Sequence, residues 1–343
     1  MHHFKDNLQH LREFKDNAMG QCVSIAHNVS QPAQSGGFRN PVIDKDFPDP
    51  FCCRFGRYFF AFATNANGSN VQCAVSDDLV QWRVMGDALP QMPPWANPGL
   101  TWAPNVSYVN FNGSYYHVLF FVARDRDSDK QAVGVATSQR PEGPYQPVST
   151  KPLINQVDEG GTIDPSCFVD EDGSRVLIYK NDGNSMGKEC WLYMRRLEAD
   201  GVTLVGDEIR LFKNDMDWEG GVVEAPFMWK HDGRYYLFYS GNGYGGDRYA
   251  VGFATSTNLF GPYEKDPKPI MCTGHSHGRV IGPGACSLIQ GPSGGTWMLY
   301  HSWSAGNAYR ACSIAQLGWQ GGRPHVTPTY GINQTSPMMC AAT

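Results

Sequence analysis

Short apolar runs separated by glycine turns dominate the pattern of hydrophobic and polar positions along the 343-residue chain. In the segment EDGSRVLIYKN, for example, a tight polar turn precedes a strand-like run. Runs rich in β-branched and aromatic residues favour strands over helices. The same arrangement occurs five times, at residues 54–64, 111–121, 171–181, 231–241 and 292–302. The pattern therefore predicts an all-β fold built from short antiparallel hairpins.

The five hairpins recur at a nearly constant interval. Their central glycines, which are 57, 60, 60 and 61 residues apart, are Gly56, Gly113, Gly173, Gly233 and Gly294. A constant period indicates repeated supersecondary units, and a hairpin followed by further β-segments is typical of a four-stranded propeller blade. We therefore predict a five-bladed β-propeller with four-stranded antiparallel blades around a central funnel. A β-sandwich is the alternative, but a sandwich does not require this period.

The repeat also sets the expected domain boundaries. Residues 37–343 contain the five units and are predicted to form the propeller domain. Residues 1–36 are predicted to be an N-terminal extension. The residues after the fifth unit are too few for an additional C-terminal β-sandwich, so none is expected.

Composition and charge narrow the range of partners. The formal net charge of −5 argues against nucleic acid and anionic membrane surfaces, because both require a basic face. No apolar run approaches the ~18 residues of a membrane span. We expect a monomer with neither a nucleic-acid nor a membrane partner.

Cysteines and glycosylation motifs bear on cofactors and location. The ten cysteines show no CxxC pair and no Cys/His metal spacing, so we predict no metal and no cofactor. Five Asn-Xaa-Ser/Thr motifs begin at Asn28, Asn67, Asn105, Asn112 and Asn333. Together with the even cysteine count they favour an extracellular, secreted protein. A cytoplasmic location is the alternative, because residues 1–21 lack the apolar middle of a signal peptide.

Acidic residues fall at one place in the repeat, just before the hairpins. The positions that lie 7 to 9 residues before the turn glycines are Asp49, Asn105, Asp164, Glu224 and Ala285. The first strand of each propeller blade lines the central channel, so these positions are predicted to form a ring that carries three carboxylic acids. Burial and mutual repulsion should raise at least one pKa, which supplies a protonated acid and an ionised base in one pocket. A lone Asp-Pro is more often a turn, so this hypothesis depends on the shared position.

Four segments of the chain resemble glycoside hydrolase family 43. They are NPVIDKDFPDPFCCRFGRYFFAFAT, TWAPNVSYVNFNGSYYHVLFF, GGTIDPSCFVDEDGSRVLIYK and VVEAPFMWKHDGRYYLFYSGN, in this order. The resemblance implies a five-bladed propeller that hydrolyses glycosidic bonds with inversion. It also implies that Asp49 is the general base, that Glu224 is the general acid, and that Asp164 raises the pKa of Glu224 and orients it.

Four further residues are predicted to bind the substrate. Trp102 is suited to stacking on a sugar face, with burial in the blade as the alternative. Asn105 stands where an acid is common in the family, and Arg310 either reaches the substrate or braces the last blade. Many members have a histidine where this chain has Ala285, which argues against a metal on the axis. His301 is a candidate to replace that histidine, with a core histidine as the alternative.

The predicted activity is hydrolysis of terminal or internal pentose linkages in arabinan, arabinoxylan or xylan. An α-L-arabinofuranosidase or a β-xylosidase is favoured, with an oligosaccharide or polysaccharide as the substrate. A non-catalytic, glycan-binding propeller is one alternative, because the fold alone does not establish catalysis. A clan-related retaining fructan hydrolase is another, but Ile163 occupies the place where those enzymes typically have arginine.

Overall fold

A computed structural model describes residues 37–339, which form five four-stranded antiparallel sheets. Within every sheet the strands neighbour each other in chain order, so each sheet is a simple meander. The predicted five-bladed β-propeller is confirmed. The expected N-terminal extension, residues 1–36, lies outside the described residues.

The twenty strands are numbered in chain order, four to a blade. Blade 1 contains β1 (Phe51–Phe55), β2 (Tyr58–Ala63), β3 (Gln72–Ser76) and β4 (Arg83–Val84). Blade 2 contains β5 (Ala96–Phe111), β6 (Ser114–Asp125), β7 (Gln131–Ser138) and β8 (Gln146–Pro147). Blade 3 contains β9 (Thr162–Val169), β10 (Arg175–Asn181), β11 (Trp191–Leu197) and β12 (Leu204–Lys213). Blade 4 contains β13 (Val223–His231), β14 (Arg234–Gly241), β15 (Ala250–Ser256) and β16 (Glu264–Lys265). Blade 5 contains β17 (Ile281–Gln290), β18 (Thr296–Trp303), β19 (Arg310–Gln320) and β20 (Arg323–Val326).

Short 3₁₀ helices interrupt the connections between strands. They are Val157–Glu159, Gly183–Met186, Asp217–Glu219 and Thr273–Ser276. Within residues 37–339 no helix has both the length and the apolar character needed to cross a membrane.

The predicted glycine turns join the first and second strands of each blade. The five glycines have left-handed φ angles: Gly56 (59°), Gly113 (76°), Gly173 (85°), Gly233 (71°) and Gly294 (101°). Glycine adopts this conformation without the steric clash of a Cβ atom, which is why the turns are visible in the sequence.

The second strand of each blade supplies the core on both of its faces. All six residues of β2 are buried, and its sequence YFFAFA contains no polar side chain. Neighbouring blades pack face to face, so the core consists of clusters that lie between blades. Between blades 1 and 2, for example, Phe60 and Phe62 share a cluster with Leu119 and Phe121.

The chain closes the ring by placing its N-terminal segment on the last blade. Phe38 and Ile43 form bridges with Gln334 and Cys312. The Asn40 side chain donates to the Ile314 carbonyl at 2.6 Å and accepts from the Ile314 N–H at 2.9 Å. These contacts join blade 5 to the segment that leads into blade 1.

All eight cysteines within residues 37–339 are free thiols. The disulfide half of the argument for secretion therefore has no support in this range. Of the glycosylation motifs, the one at Asn105 is buried, whereas Asn67, Asn112 and Asn333 are exposed. An extracellular location stays a prediction.

Candidate active site

Five non-glycine residues with left-handed backbone conformation surround one axial cavity. They are Asp49 (φ 54°), Ala103 (40°), Asp164 (55°), Ala225 (51°) and Ala285 (48°). Each blade lines the cavity with its left-handed residue and the two that follow, namely 49–51, 103–105, 164–166, 225–227 and 285–287. Such a conformation costs a residue other than glycine on the order of 1–3 kcal/mol, and it is found mainly at functional sites.

The predicted ring of equivalent positions is partly wrong. Asp49, Asp164 and Ala285 do share the left-handed position, but Glu224 precedes it by one residue and Asn105 follows it by two. The cause is the unequal length of the turns between first and second strands. Five residues separate the paired ends of these strands in blades 3 and 5, whereas two separate them in blades 2 and 4, so a fixed distance from the turn glycine does not identify equivalent residues.

The three acids nevertheless lie close together, because Asp49 and Asp164 line the cavity and Glu224 directly precedes the lining residue Ala225. Asp49 lies two residues before β1, Asp164 lies in β9 and Glu224 lies in β13. The Asp164 Oδ2 atom accepts a hydrogen bond of 2.8 Å from the N–H of Ala225, the residue next to Glu224. The charges of both Glu224 and Asp49 act on the Asp164 carboxyl group. The structure therefore brings together the three residues that the sequence predicted as catalytic.

Asp49 is held in its ionised form. Its Oδ2 atom accepts a hydrogen bond of 2.6 Å from the Thr64 hydroxyl, and its Oδ1 atom accepts one of 3.2 Å from Arg310 Nη1. Burial alone would raise the pKa of Asp49, but the Arg310 guanidinium, with the Thr64 hydroxyl, outweighs burial and holds it well below the usual range. Asp49 is thus a carboxylate at neutral and mildly acidic pH.

His301 lies behind Asp49 as a neutral imidazole. Burial, assisted by the Arg310 charge, lowers the pKa of His301. The Asp49 N–H donates to His301 Nδ1 at 3.0 Å, which occupies the lone pair of that nitrogen. The Asp49 Oδ1 atom lies 3.3 Å from the same nitrogen, but a neutral ring with this tautomer has no proton there to donate. We therefore assign the contact as support for the Asp49 backbone and not as an ion pair.

The pKa of Asp164 is shifted in the direction opposite to that of Asp49. Although its side chain keeps some solvent exposure, protein atoms surround the carboxyl group. Burial and then the charge of Glu224 raise the pKa of Asp164 from 3.8 to about 7, against the smaller influence of Lys180. The expectation that crowding would raise one of the three pKa values is confirmed for this residue.

Lys180 places a positive charge beside Glu224. Its side chain has no solvent exposure, and its Nζ atom lies 3.2 Å from Glu224 Oε2 and 2.7 Å from Asn184 Oδ1. Asp182 is more distant, with its Oδ1 atom 3.8 Å from Nζ. Burial alone would lower the pKa of Lys180, but the charge of Glu224 and the neighbouring groups raise it. Lys180 is therefore a buried ammonium group.

The four predicted substrate-binding residues lie at different depths. Trp102, partly exposed, occupies in blade 2 the position that Glu224 has in blade 4, because the two residues pair with Val122 and Ser240 respectively. Asn105 lines the axial cavity, and its Oδ1 atom accepts from the Cys167 N–H at 3.1 Å.

The other two predicted substrate-binding residues, Arg310 and His301, both contact Asp49. The Arg310 guanidinium stands 4.4 Å from the ring centre of Tyr244, which is half exposed. His301 has no solvent exposure. Direct contact of these residues with a substrate stays a prediction.

Comparison with known proteins identifies the family. The sequence profile of the glycosyl hydrolases family 43 matches residues 38–324, which is most of the chain. This chain belongs to glycosyl hydrolases family 43. The propeller with three converging acids is therefore a glycoside hydrolase.

Several members of family 43 are similar to this chain. The beta-D-galactofuranosidase xynD of Aspergillus niger is 28% identical over 76% of this chain and 75% of its own length. The xylosidase/arabinosidase 43B of Humicola insolens is 25% identical over 81% of this chain and 51% of its own length. This chain thus spans between half and three quarters of the length of these curated relatives.

Solved structures extend the comparison to the fold. A thermostable family-43 glycoside hydrolase superposes with a TM-score of 0.78 and 26% identity, covering 88% of this chain and 99% of the other. An endo-1,4-beta-xylanase from Bacteroides thetaiotaomicron superposes with a TM-score of 0.72 and 28% identity, covering 85% of this chain and 97% of the other.

Within residues 37–339 of this family 43 protein, no group of three or more His, Cys, Asp or Glu side chains is arranged to hold a metal ion.

A second set of residues around the site of this family 43 protein was not predicted from the sequence, except for His301. These residues lie at or near the end of the second strand of each blade and occupy corresponding positions in the pairing: Thr64, Val122, Lys180, Ser240 and His301. A signal was present, because a polar residue ends an otherwise apolar run in four of the five blades.

These strand ends support the left-handed residues of the next blade. The Ala103 N–H donates to Thr64 Oγ1 at 2.9 Å, and the Ala285 N–H donates to Ser240 Oγ at 2.9 Å. His301 accepts the Asp49 N–H in the same way. Each hydrogen bond satisfies a backbone group whose conformation leaves it outside the regular strand pairing.

Proposed function

We propose that this glycoside hydrolase cleaves pentose linkages of arabinan, arabinoxylan or xylan by an inverting single displacement. The observation that carries the proposal is the opposite electrostatic state of two acids from different blades. Asp49 is held ionised, whereas burial and the charge of Glu224 raise the pKa of Asp164 to about 7. An inverting glycosidase needs one ionised carboxylate and one protonated carboxylic acid on opposite sides of the scissile bond.

Asp49 is suited to orienting and deprotonating the attacking water. Its low pKa keeps it ionised, but it also makes Asp49 a weak base. This weakness is tolerable, because the water becomes acidic only as its oxygen bonds to the anomeric carbon of an oxocarbenium-like transition state. The Thr64 hydroxyl and Arg310 fix the orientation of the carboxylate. We infer that positioning contributes more than basicity to its role.

Glu224 is suited to protonating the leaving oxygen. Its side chain is largely buried but retains some exposure, and it lies between Lys180 and the residue that binds Asp164. Asp164 lies next to Glu224, and its raised pKa allows it to hold a proton near neutral pH. One site therefore provides a carboxyl group for each of the two oxygens whose bonds change in the reaction, namely the leaving oxygen and the oxygen of the attacking water.

The substrate class is inferred from the relatives. Their names include a xylosidase/arabinosidase and a galactofuranosidase. An α-L-arabinofuranoside and a β-D-galactofuranoside share their ring configuration and differ in the exocyclic group. We favour arabinofuranosides and xylosides and include a galactofuranoside in the test.

The test uses Glu224→Gln with two kinds of leaving group. A general acid contributes roughly 10²–10⁴ in rate when the leaving group is a poor one. We expect kcat on arabino- or xylo-oligosaccharides to fall by this factor, and kcat on the matching 2,4-dinitrophenyl glycoside to fall far less, because dinitrophenolate leaves without protonation. Glu171→Gln, at a carboxylate that is 83% exposed on an outer turn, is the control and should behave like the unaltered protein.

Two results would contradict the proposal. Equal losses on both leaving groups would show that Glu224 does not donate the proton. A non-catalytic propeller would show sugar binding by calorimetry without any product from the arabinan, xylan and galactofuranoside panel.

A further inference from the structure

We propose that Lys180 is a positioning residue that holds Glu224 in place and, through its charge, sets how tightly the pair formed by Asp164 and Glu224 holds its proton. This inference deepens the proposed function and rests on the acid role of Glu224. It concerns a side chain without solvent exposure, so Lys180 acts through Glu224 and not on the sugar.

The first step of the argument is a break in the pattern of hydrogen bonds between blades. In blades 1, 4 and 5 a side-chain acceptor at the end of the second strand receives the N–H of the next left-handed residue. Blade 3 has Lys180 at this place, and an ammonium group cannot accept a hydrogen bond. The Ala225 N–H donates instead to Asp164 Oδ2 at 2.8 Å. The lysine therefore accompanies a change in which Asp164 is bound directly beside Glu224.

The second step is the contact of Lys180 itself. Its ammonium group donates to Glu224 Oε2 at 3.2 Å and to Asn184 Oδ1 at 2.7 Å, so it contacts one oxygen of Glu224. A cation at this distance stabilises negative charge on the pair of carboxyl groups that Glu224 forms with Asp164. Asp164 has no direct hydrogen bond to Lys180 among the described contacts, so the charge of Lys180 acts on it from farther away.

The third step is the movement of the proton in the reaction. Before substrate binds, the pair formed by Asp164 and Glu224 shares one proton beside the Lys180 cation. When substrate binds, Glu224 presents this proton to the substrate, and the net charge of the three groups does not change. Glu224 then gives the proton to the leaving oxygen, and solvent returns one proton to the pair.

Other titratable groups interact with the trio formed by Lys180, Asp164 and Glu224. They are Asp49, Asp182, Cys190 and Tyr249. Asp182 and Cys190 lie near Lys180, while Asp49 acts on Asp164 from blade 1. None of these groups changes in the variants below, so differences between variants report on the trio.

The kinetic test compares Lys180→Met with Lys180→Arg. Methionine keeps most of the length of the side chain but removes its charge, so the pair should hold its proton more tightly. We expect the alkaline limb of the pH dependence of kcat/KM to move upward by about 1 to 3 pH units, with a lower kcat from the misplaced Glu224. Arginine keeps the charge and should leave the limb in place. A purely structural lysine would lower kcat without moving the limb, and this result would overturn the proposal.

A second measurement does not depend on any activity. Infrared titration of the ligand-free protein follows the C=O band of protonated carboxyl groups, with Asp→Asn variants used to assign it. We expect a band that persists to near neutral pH, that is weaker there in Asp164→Asn, and that extends to higher pH in Lys180→Met. A band that covers the same pH range in Lys180→Met as in the unaltered protein would overturn the inference. If this titration behaves as expected but no pentoside is cleaved, the proposed function fails and the assignment of Lys180 stands.

Discussion

Asp164→Asn should make the protein more stable at neutral pH while impairing catalysis. The substitution removes a carboxyl group that the fold holds in an unfavourable ionisation environment. Asparagine keeps an oxygen that accepts the Ala225 N–H, and it tolerates the left-handed conformation (φ 55°) of this position. The change is therefore confined largely to charge.

The magnitude follows from the raised pKa. A shift from 3.8 to about 7 spans roughly three pKa units, which at 1.36 kcal/mol each gives an upper limit of about 4 kcal/mol. Solvent contact of the side chain reduces this to about 2 kcal/mol. The folded state binds the proton more tightly than the unfolded state, so the penalty is absent below about pH 4, grows up to about pH 7 and is complete above it.

The assay is equilibrium urea unfolding of both proteins from pH 4 to pH 8. We expect Asp164→Asn to exceed the unaltered protein by about 2 kcal/mol above pH 7, with the difference vanishing towards pH 4. Asp232→Asn is the matched control, because Asp232 is also left-handed (φ 47°) but its side chain is 90% exposed. A difference between Asp164→Asn and the unaltered protein that does not vary with pH would refute the reasoning.

Two further substitutions test other contacts of the fold. Lys265→Met should lower the free energy of unfolding in urea by about 3–5 kcal/mol, because Lys265 Nζ lies 2.8 Å from the fully buried Glu219. The double variant Lys265→Met with Glu219→Gln should recover much of this loss, and unchanged stability of the single variant would contradict the prediction. Thr64→Val should lower kcat/KM about 5- to 150-fold, because it removes the hydrogen bond to Asp49 and the acceptor for the Ala103 N–H. Thr64→Ser keeps the hydroxyl and should retain most activity. Equal losses in the two variants would argue against the importance of these hydrogen bonds.

The fold could be predicted because its signals are local. Each blade begins with a hairpin whose glycine needs a left-handed conformation, and each second strand contains a run of mainly apolar residues because neighbouring blades bury both of its faces. These requirements apply to a few consecutive residues, so they appear in the sequence five times at a constant period. The closure of the ring through Asn40 and Ile314 joins distant segments and leaves no comparable local signal.

The exact place of the acids could be predicted only in part. Asp49 and Asp164 share the Asp-Pro pattern and the left-handed position. Glu224 lies one residue before that position, and its alignment with Asp164 failed because the first turn of blade 3 has five residues whereas that of blade 4 has two. Glu224 still lies beside the site, because the next residue, Ala225, lines the cavity and donates its N–H to Asp164.

The electrostatic partners of the acids were beyond sequence reasoning. A lysine is ordinarily a surface residue, and nothing in the run VLIYKND states that Lys180 is buried against Glu224. The contact joins β10 to β13, in neighbouring blades. Only the packing of blade 3 against blade 4 creates it.

Proton NMR of the sugar first released from an oligosaccharide tests the central claim most directly. If Asp49 activates water while Glu224 protonates the leaving oxygen, the first-formed anomer has the configuration opposite to that of the cleaved bond, and the other anomer grows in only by mutarotation. Release of a sugar with the original configuration would show that a carboxylate attacks the anomeric carbon, and it would contradict the roles assigned to these residues.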